Sequence, residues 1–489
     1  MGDGLEGQQD RLWRTEHAER FGVIVDAERY FEVARVALLQ ARSRIMLVGW
    51  DFDARIRLSG DERGEDEPAT LGEFLYWLIE RTPTLELYLL RWDVGAFKAL
   101  FRGSTVFTVL KWMRHPRIHT KLDGHHPTGG SHHQKVVSID DCFAFCGGID
   151  MTSARWDTRE HRDVEPGRLT PTGKAYKPWH DATTALSGPA AAALAEMSRV
   201  RWLNATGEAL APVTGKGRCW PDNLEPDLEG VDVGIARTIP DMPDQEAVHE
   251  IERLFLHQIA RARRGVYIES QYFASRKIAE AIAKRLQEAD GPEFVIINPT
   301  TAEGWLQAIA MDTARARLMK ALRQVDRHGR LAMYCPFTTG GAPIYVHAKI
   351  MVVDGETIRV GSANFNNRSM RLDSECDVLV SGADHDGVRA AAVALRNGLI
   401  AEHLGIGAGE VGKQIEELGM IAAIEKLRGV GRSLRPYQLP DVSEVPKWLA
   451  DNELLDPEGP EEMFEPLTKR GLFRRRSRLS NDVRVKRSP

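Results

Sequence analysis

The chain has no run of about 18 apolar residues, so nothing in it reads as a membrane-spanning helix. Its N-terminus, MGDGLEGQQDRLWRTEHAERFG, lacks an apolar stretch and carries acids early, which excludes a secretory signal. Gly2 follows Met1, but Glu6 stands where a myristoylation pattern needs Ser or Thr. Cysteine is scarce. Cys142, Cys146, Cys219, Cys335 and Cys376 are odd in number, scattered, and form no C-x-x-C pair. That argues against a disulfide framework or a zinc site, and for reduced, mostly buried thiols in a cytoplasmic protein. Positive charge is not in excess: 65 Lys and Arg stand against 70 Asp and Glu, a net charge of -5. No global basic field therefore draws nucleic acid. With 43 % hydrophobic and 28 % charged residues, the composition is that of an ordinary globular protein, and 489 residues suffice for two to four domains.

What is present is a duplication. His133-Gln134-Lys135, four residues and Asp140 return as His347-Ala348-Lys349, four residues and Asp354. Six residues later each copy reaches a small-residue turn, Gly147-Gly148 in one and Gly361-Ser362 in the other. The repeat extends outward. Tyr30 to Arg44 and Val248 to Arg264 share helical apolar spacing, and each runs into an apolar strand, Ile45 to Val48 and Val266 to Phe273. A second helix and strand follow in both: Leu71 to Glu80 before Leu85 to Leu90, and Ile278 to Glu288 before Phe294 to Ile297. Each unit closes on an acid six residues before a Ser-Gly turn, Asp181 before Ser187 and Glu375 before Ser381. Alternating strands and helices predict an α/β fold of two pseudo-symmetric halves with mixed sheets. We place an N-terminal lead at 1–19, the halves at 20–210 and 235–405, and a linker at 211–234. A C-terminal extension follows at 406–489, with one helix over Glu410 to Leu427, an acidic Pro-rich segment from Asp451 to Pro466, and a basic tail from Lys469.

In each motif the His and Lys open a strand, and Asp140 or Asp354 sits at the hairpin turn that ends it. Residues i and i+2 share a strand face, so His and Lys point at one ligand. These residue types suit a phosphodiester, an anion that needs cations and donors on its non-bridging oxygens before it can be attacked. Lys135 and Lys349 supply charge, and Asn364 and Ser362 add donors. The first copy has Asp150 where the second has Asn364, an acceptor better suited to holding the loop or another side chain. One imidazole can attack phosphorus while the other protonates the departing alkoxide. Each needs an acceptor on its second ring nitrogen, the task assigned to Asp181 and Glu375. Asp140, Asp354, Gly147, Gly148, Asp150 and Gly361 are expected to shape the motifs, the two turn aspartates by bonding the hairpin or a motif lysine. No cofactor or metal is required, because lysines and histidines already carry the positive charge. His125, His126 and His132 match no standard ligand spacing and read as a polar loop lining the site. Trp50, Trp92, Trp156 and Trp179 read as core or pocket wall.

At these residues the chain resembles the phospholipase D superfamily. His133-x-Lys135-x4-Asp140 and His347-x-Lys349-x4-Asp354 match both of its signature motifs, over roughly residues 20–405. Arg155-Trp156-Asp157-Thr158 with His161, Trp179-His180-Asp181, Ile268 to Phe273, and Gly361 to Ser369 look like segments of the phospholipase D enzymes proper. The resemblance implies one active site at the interface of two α/β/α halves and a ping-pong path through a phosphatidyl-histidine. It also implies attack by His133 and acid–base work by His347. The lipid- and calcium-binding modules that large eukaryotic relatives carry before the first half are not expected here.

Three activities fit these motifs: a phospholipase D acting on a glycerophospholipid, a cardiolipin synthase-type phosphatidyltransferase in which an alcohol replaces water, and a phosphodiesterase nuclease. The acidic balance disfavours the last, and no nucleic acid partner is expected. Because both motifs lie in one chain, a monomer is expected. The basic tail, nine Lys and Arg against Asp482, reads either as an adhesive for an anionic membrane surface or as a solvated end. The expected location is the cytoplasm, with peripheral contact at the inner leaflet.

Overall fold

Apolar residues at helical spacing drive the two entry helices against the sheet. Helix Ala27–Gln40 buries Tyr30, Phe31, Ala34, Ala37 and Leu38, and helix Glu250–Arg261 buries Ile251, Leu254, Phe255 and Ile259. The computed structural model describes residues 10–58, 64, 66–93, 105–214, 219–302, 305–382 and 385–439. The acidic Pro-rich segment and the basic tail lie outside them.

One mixed sheet of 16 strands runs through the molecule. Outward from its centre, the first copy runs Arg14–Val25, Ala182–Ser187, Phe143–Gly147, Val136–Ile139, Arg44–Gly49, Glu86–Trp92 and Ile118–Asp123. The second runs Leu228–Ile239, Glu375–Ser381, Thr357–Gly361, Ile350–Val353, Gly265–Glu269, Glu293–Ile297 and Leu331–Phe337. The two series match strand for strand. In each, the outer three strands are parallel and joined through helices, and the inner ones are antiparallel. The halves meet where Arg14–Val25 pairs antiparallel with Leu228–Ile239. A shared apolar core, including Phe21, Val136, Leu186, Ile235, Val360 and Val378, spans both copies.

Four features differ from the sequence expectations. The divisions drawn at 20 and 235 fall inside the two central strands, whose outer faces are charged and so do not read as apolar runs. The expected helix from Glu410 to Leu427 is two helices, Ala408–Leu418 and Met420–Leu427. Gly419 breaks it with a φ of 86°, and the Met420 N–H donates to Glu293 at 2.6 Å. Residues 433–436, inside the extension, form an edge strand on Leu331–Phe337. Finally, Cys142 and Cys219 form a disulfide across 77 residues of sequence. The hairpin turn of the first motif brings Cys142 under the segment that joins the halves, a proximity that spacing does not encode. Cys146, Cys335 and Cys376 are free and buried, but the bridge removes the cysteine argument for a reducing compartment. Among the described residues, no helix is long and apolar enough to cross a membrane.

Candidate active site

The two motif hairpins have the same turn chemistry. Asp140 and Asp141, with φ of 51° and 53°, and Asp354 and Gly355, with φ of 57° and 67°, take left-handed conformations at the centre of a tight turn, three residues separating the paired strand ends in each hairpin. The turn aspartates then clamp the neighbouring loop. Asp140 accepts from the backbone N–H of Arg42, Ser43 and Arg44, each at 2.7 Å. Asp354 does the same for Arg263, Arg264 and Gly265 at 2.7–2.9 Å. Both carboxylates therefore tie the end of the entry helix to the motif hairpin, and their hydrogen bonds go to backbone rather than to a motif lysine.

The acid for each histidine comes from the opposite half. Tyr345–Val346 runs parallel to Trp179–His180, in register, so His347 lies beside Asp181. His132 bridges Ser374 in the same parallel sense, so His133 lies beside Glu375. The His347 N–H donates to the His180 carbonyl at 2.7 Å, and the His133 N–H to the Ser374 carbonyl at 2.9 Å. The side chains follow: His347 Nδ1 is 2.7 Å from Asp181 Oδ2, and His133 Nδ1 is 3.0 Å from Glu375 Oε2. With Nδ1 occupied as donor to the acid, each neutral ring keeps its lone pair on Nε2. Two small residues admit this approach. A Cβ at Gly148 would collide with the Asp181 carboxylate, and one at Gly361 with Asp377. Gly147 is packed equally hard on Thr183.

The lysines are held unequally. Lys135 Nζ bonds the His133 carbonyl at 2.9 Å and pairs with Asp150 at 3.2 Å. Asp150 also accepts from the Trp50 N–H at 3.1 Å, so it holds both a loop and a side chain. Lys349 bonds the His347 carbonyl and lies 3.5 Å from Gln271 Oε1, a residue the motifs did not single out. Asn364, in place of Asp150, brings no charge, and its buried Oδ1 has no hydrogen-bond partner. Ser362 departs from the role expected of it. Its hydroxyl donates to Glu375 at 2.5 Å, so it braces the His133 acid instead of offering its proton to a phosphate.

Burial sets the charge states. Burial, with Lys135 adding to it, pushes the Lys349 ammonium down to about 7 against the pull of Asp181 and Glu375. Burial and Lys349 likewise hold His347 well below the usual imidazole range. Burial acts to raise Asp181 and Glu375, but the facing histidines outweigh it, and Asp181 is held at about 2. That all these groups act on Lys349 places both lysines and both acids within electrostatic reach of one point. A consequence is testable. At pH 8 the free Lys349 is mostly neutral, and an anion seated beside it draws a proton on. Binding of vanadate should therefore take up a proton, approaching about one per site at pH 8, and weaken as pH rises above about 7. Calorimetry in buffers of different ionisation enthalpy measures this, and Lys349→Met should reduce the uptake by up to about one proton. Equal heats in all buffers for the wild type would contradict it.

The flanking histidines do not converge. His125 pairs with Asp244, His126 with Asp93, and His132 with Asp123 and Ser374. Trp50 stacks on Trp92, and Trp179 stacks between Tyr345 and the Arg155 guanidinium, against His347. What the motifs gave no hint of is a buried set of charged residues behind Asp181: Asp26, His161, His180, Glu269, Glu402 and His403. Of these, His161, His180 and the Ile268 to Phe273 segment that holds Glu269 are marked by the family resemblance; Asp26, Glu402 and His403 are not, and nothing in the sequence joins them.

Comparison with known proteins finds relatives of both halves. A family model described as "Phospholipase D" matches residues 37–216, and one described as "Cardiolipin synthase, PLD-like domain" matches residues 255–391. The chain belongs to the phospholipase D superfamily of enzymes. It is 23 % identical over 524 residues to phospholipase D alpha 1 of Vigna unguiculata, covering 78 % of this chain and 64 % of that protein. It is 25 % identical over 434 residues to phospholipase D A of Dictyostelium discoideum, covering 73 % of this chain and 32 % of that protein. The chain thus spans less than two thirds of these relatives. Its fold is like that of a phosphatidylserine synthase of Haemophilus influenzae Rd KW20, with a TM-score of 0.53 at 13 % identity, covering 88 % of this chain and 99 % of that one.

Proposed function

We propose that the chain is a phospholipase D, cleaving the distal phosphodiester of a glycerophospholipid to phosphatidate and the headgroup alcohol. The observation that carries this reading is the pair of histidines, each backed by a carboxylate from the opposite half, beside two buried lysines. The halves near 20–210 and 235–405, each with its central strand, would form one site, so a single chain would suffice.

In the proposed path the diester phosphate sits between Lys135 and Lys349, with the Asn364 amide as a further donor. His133 Nε2 attacks phosphorus. The seated anion offsets the burial of His347 and draws a proton from solvent onto its Nε2; the P–O bond to the headgroup then breaks, and His347 Nε2 gives that proton to the departing alkoxide. His347 then takes a proton from water, whose oxygen attacks phosphorus and releases His133 and phosphatidate. Glu375 and Asp181 hold the two tautomers and steady the imidazolium formed at each step. An alcohol entering in place of water gives a transphosphatidylation product.

Two observations favour second readings of detail. The burial that keeps His347 neutral in the free protein suits a nucleophile, and so favours the reverse order of the histidines. The match to a cardiolipin synthase model over 255–391 favours an alcohol as the natural acceptor. The proposed function is tested by incubating the protein with vesicles of phosphatidylcholine, phosphatidylethanolamine and phosphatidylglycerol, with and without a primary alcohol. Phosphatidate without alcohol is expected, and a phosphatidyl alcohol with it. Product only with alcohol would identify a transferase; cleavage of DNA and of no lipid would overturn the lipid reading.

A further inference from the structure

Behind Asp181 lies a sealed set of charges that the reaction does not use. Asp26, His161 and His180 come from the first half, and Glu269, Glu402 and His403 from the second, with none more than 6 % exposed. Asp157, also buried, joins them through His161. Four carboxylates meet here. Arg168 answers Asp157, bonding both of its oxygens at 3.1 Å, and Arg159 answers Glu402 at 2.5 Å. Arg432 lies farther out, donating to the Arg159 carbonyl. Two negative charges remain, and burying them without compensation would cost several kcal/mol each, at order of magnitude.

The imidazoles are placed to answer them. His161 has Asp157 at 3.2 Å from Nδ1 and Glu402 at 3.1 Å from Nε2, with Asp26 at 3.5 Å. His180 has Glu269 at 2.8 Å from Nε2, and Glu402 at 2.9 Å and Asp26 at 3.2 Å from Nδ1. A neutral imidazole has one N–H and one lone pair. On either ring, the neutral form would set that lone pair against a carboxylate oxygen. His403 differs: Nε2 meets Glu269 at 2.9 Å and no carboxylate is paired with its Nδ1, whereas His180 Nδ1, though it has no aligned hydrogen bond, faces two carboxylates at 2.9 and 3.2 Å; His403 is therefore satisfied as a neutral ring and His180 is not. Burial and the neighbouring Glu402 push the Asp26 carboxyl up against the pull of His161 and His180; with Asp26 ionised, two imidazolium ions and two guanidinium groups balance four carboxylates.

The network is tied to the active site through His180 and Asp26. The His180 carbonyl accepts the His347 N–H, and Asp181 follows His180 directly in the chain. Asp26, which faces the His180 ring, accepts the Asp181 N–H at 3.1 Å and donates its own N–H to the Asp181 carbonyl at 2.8 Å. We propose that His161 and His180 are held as imidazolium ions in a salt network that bolts the two halves together, and that His180 is a positioning residue for the Asp181–His347 pair. The carboxylates around both rings raise them above the ordinary imidazole range, His161 to about 9, outweighing the burial that opposes it. The positioning claim rests on the proposed phosphodiester chemistry; the charge claim does not.

The first test is on the full chain with nitrogen-15-labelled histidine at pH 8, where ordinary imidazoles are more than about 90 % neutral. Of the 15 histidines, two are expected to show both ring nitrogens protonated, with no stoichiometric metal by elemental analysis. One-proton patterns throughout, or one divalent ion per chain supplying the missing charge, would overturn the proposal. The second test is His180→Gln. It should lower kcat about 100-fold with KM unchanged, and shift the downfield Nδ1 proton of His347 in the absence of any substrate. A wild-type kcat, or an unmoved His347 proton, would overturn the positioning role. Should the wild type cleave no phosphodiester, the proposed function fails, while the nitrogen spectrum and the His347 proton still decide this inference. His161→Gln is the companion variant. Wild-type stability should be full below about 6.5 and fall as pH rises through about 9, and this loss should shrink in either variant that folds.

Discussion

His133→Asn and His347→Asn should each lower kcat by at least about 10^4-fold while leaving the unfolding midpoint within a few degrees of wild type. Asparagine is the informative replacement. Its amide nitrogen reaches the place of Nδ1 and keeps a donor on the buried acid, Glu375 or Asp181. Alanine would instead leave a carboxylate of 0 % side-chain exposure without its histidine, and would confound lost chemistry with lost stability. What asparagine removes is Nε2, the atom that attacks or carries the proton. The double variant should be scarcely slower than either single one, because nucleophile and acid act in one transition state. Steady-state kinetics and thermal melts of the three proteins measure this. A single variant retaining more than about a tenth of wild-type turnover would remove that histidine from the chemistry.

The second large effect is expected at the acids. Glu375→Gln and Asp181→Asn preserve shape but exchange an ionised acceptor for an amide, which can hold the wrong tautomer and cannot steady an imidazolium. Losses of about 10^2- to 10^4-fold in kcat are expected. The cross-half pairing makes a sharper claim. Glu375→Gln should add little to His133→Asn, and Asp181→Asn little to His347→Asn, since each acid acts through the histidine of the other half. If turnover proves too low to measure, binding of vanadate shows the same pattern. Strict additivity in both pairs would separate the acids from the histidines.

The repeat was legible because it is written in local sequence. His-x-Lys with its turn, the entry helices and the closing acid each occupy a short window, and the copies reinforce one another. The order of the sheet, matched strand for strand from its centre, is the three-dimensional form of that duplication. What was illegible depends on chain crossing chain. Asp181 and Glu375 were identified as acids, but only the parallel contacts of Trp179–His180 with Tyr345–Val346, and of His132 with Ser374, reveal which histidine each serves. Ser362 read as a phosphate donor because a hydroxyl beside the motif glycine carries no sign of its partner, Glu375. The Cys142–Cys219 bridge was missed for the same reason, and the central strands were missed because their burial alternates with charge. The charged network behind Asp181 draws on segments separated by as many as 377 positions (Asp26 to His403, 403 minus 26), far beyond any local pattern.

The central claim is that one histidine of the pair carries the phosphatidyl group during turnover. Acid-free quenching in the steady state, followed by peptide mass spectrometry, tests it most directly. A phosphatidyl adduct is expected on the peptide bearing His133, formed with lipid, discharged by water or alcohol, and absent from His133→Asn. An adduct on His347 would reverse the order of the pair. Steady turnover with no adduct on either histidine would contradict the covalent path altogether.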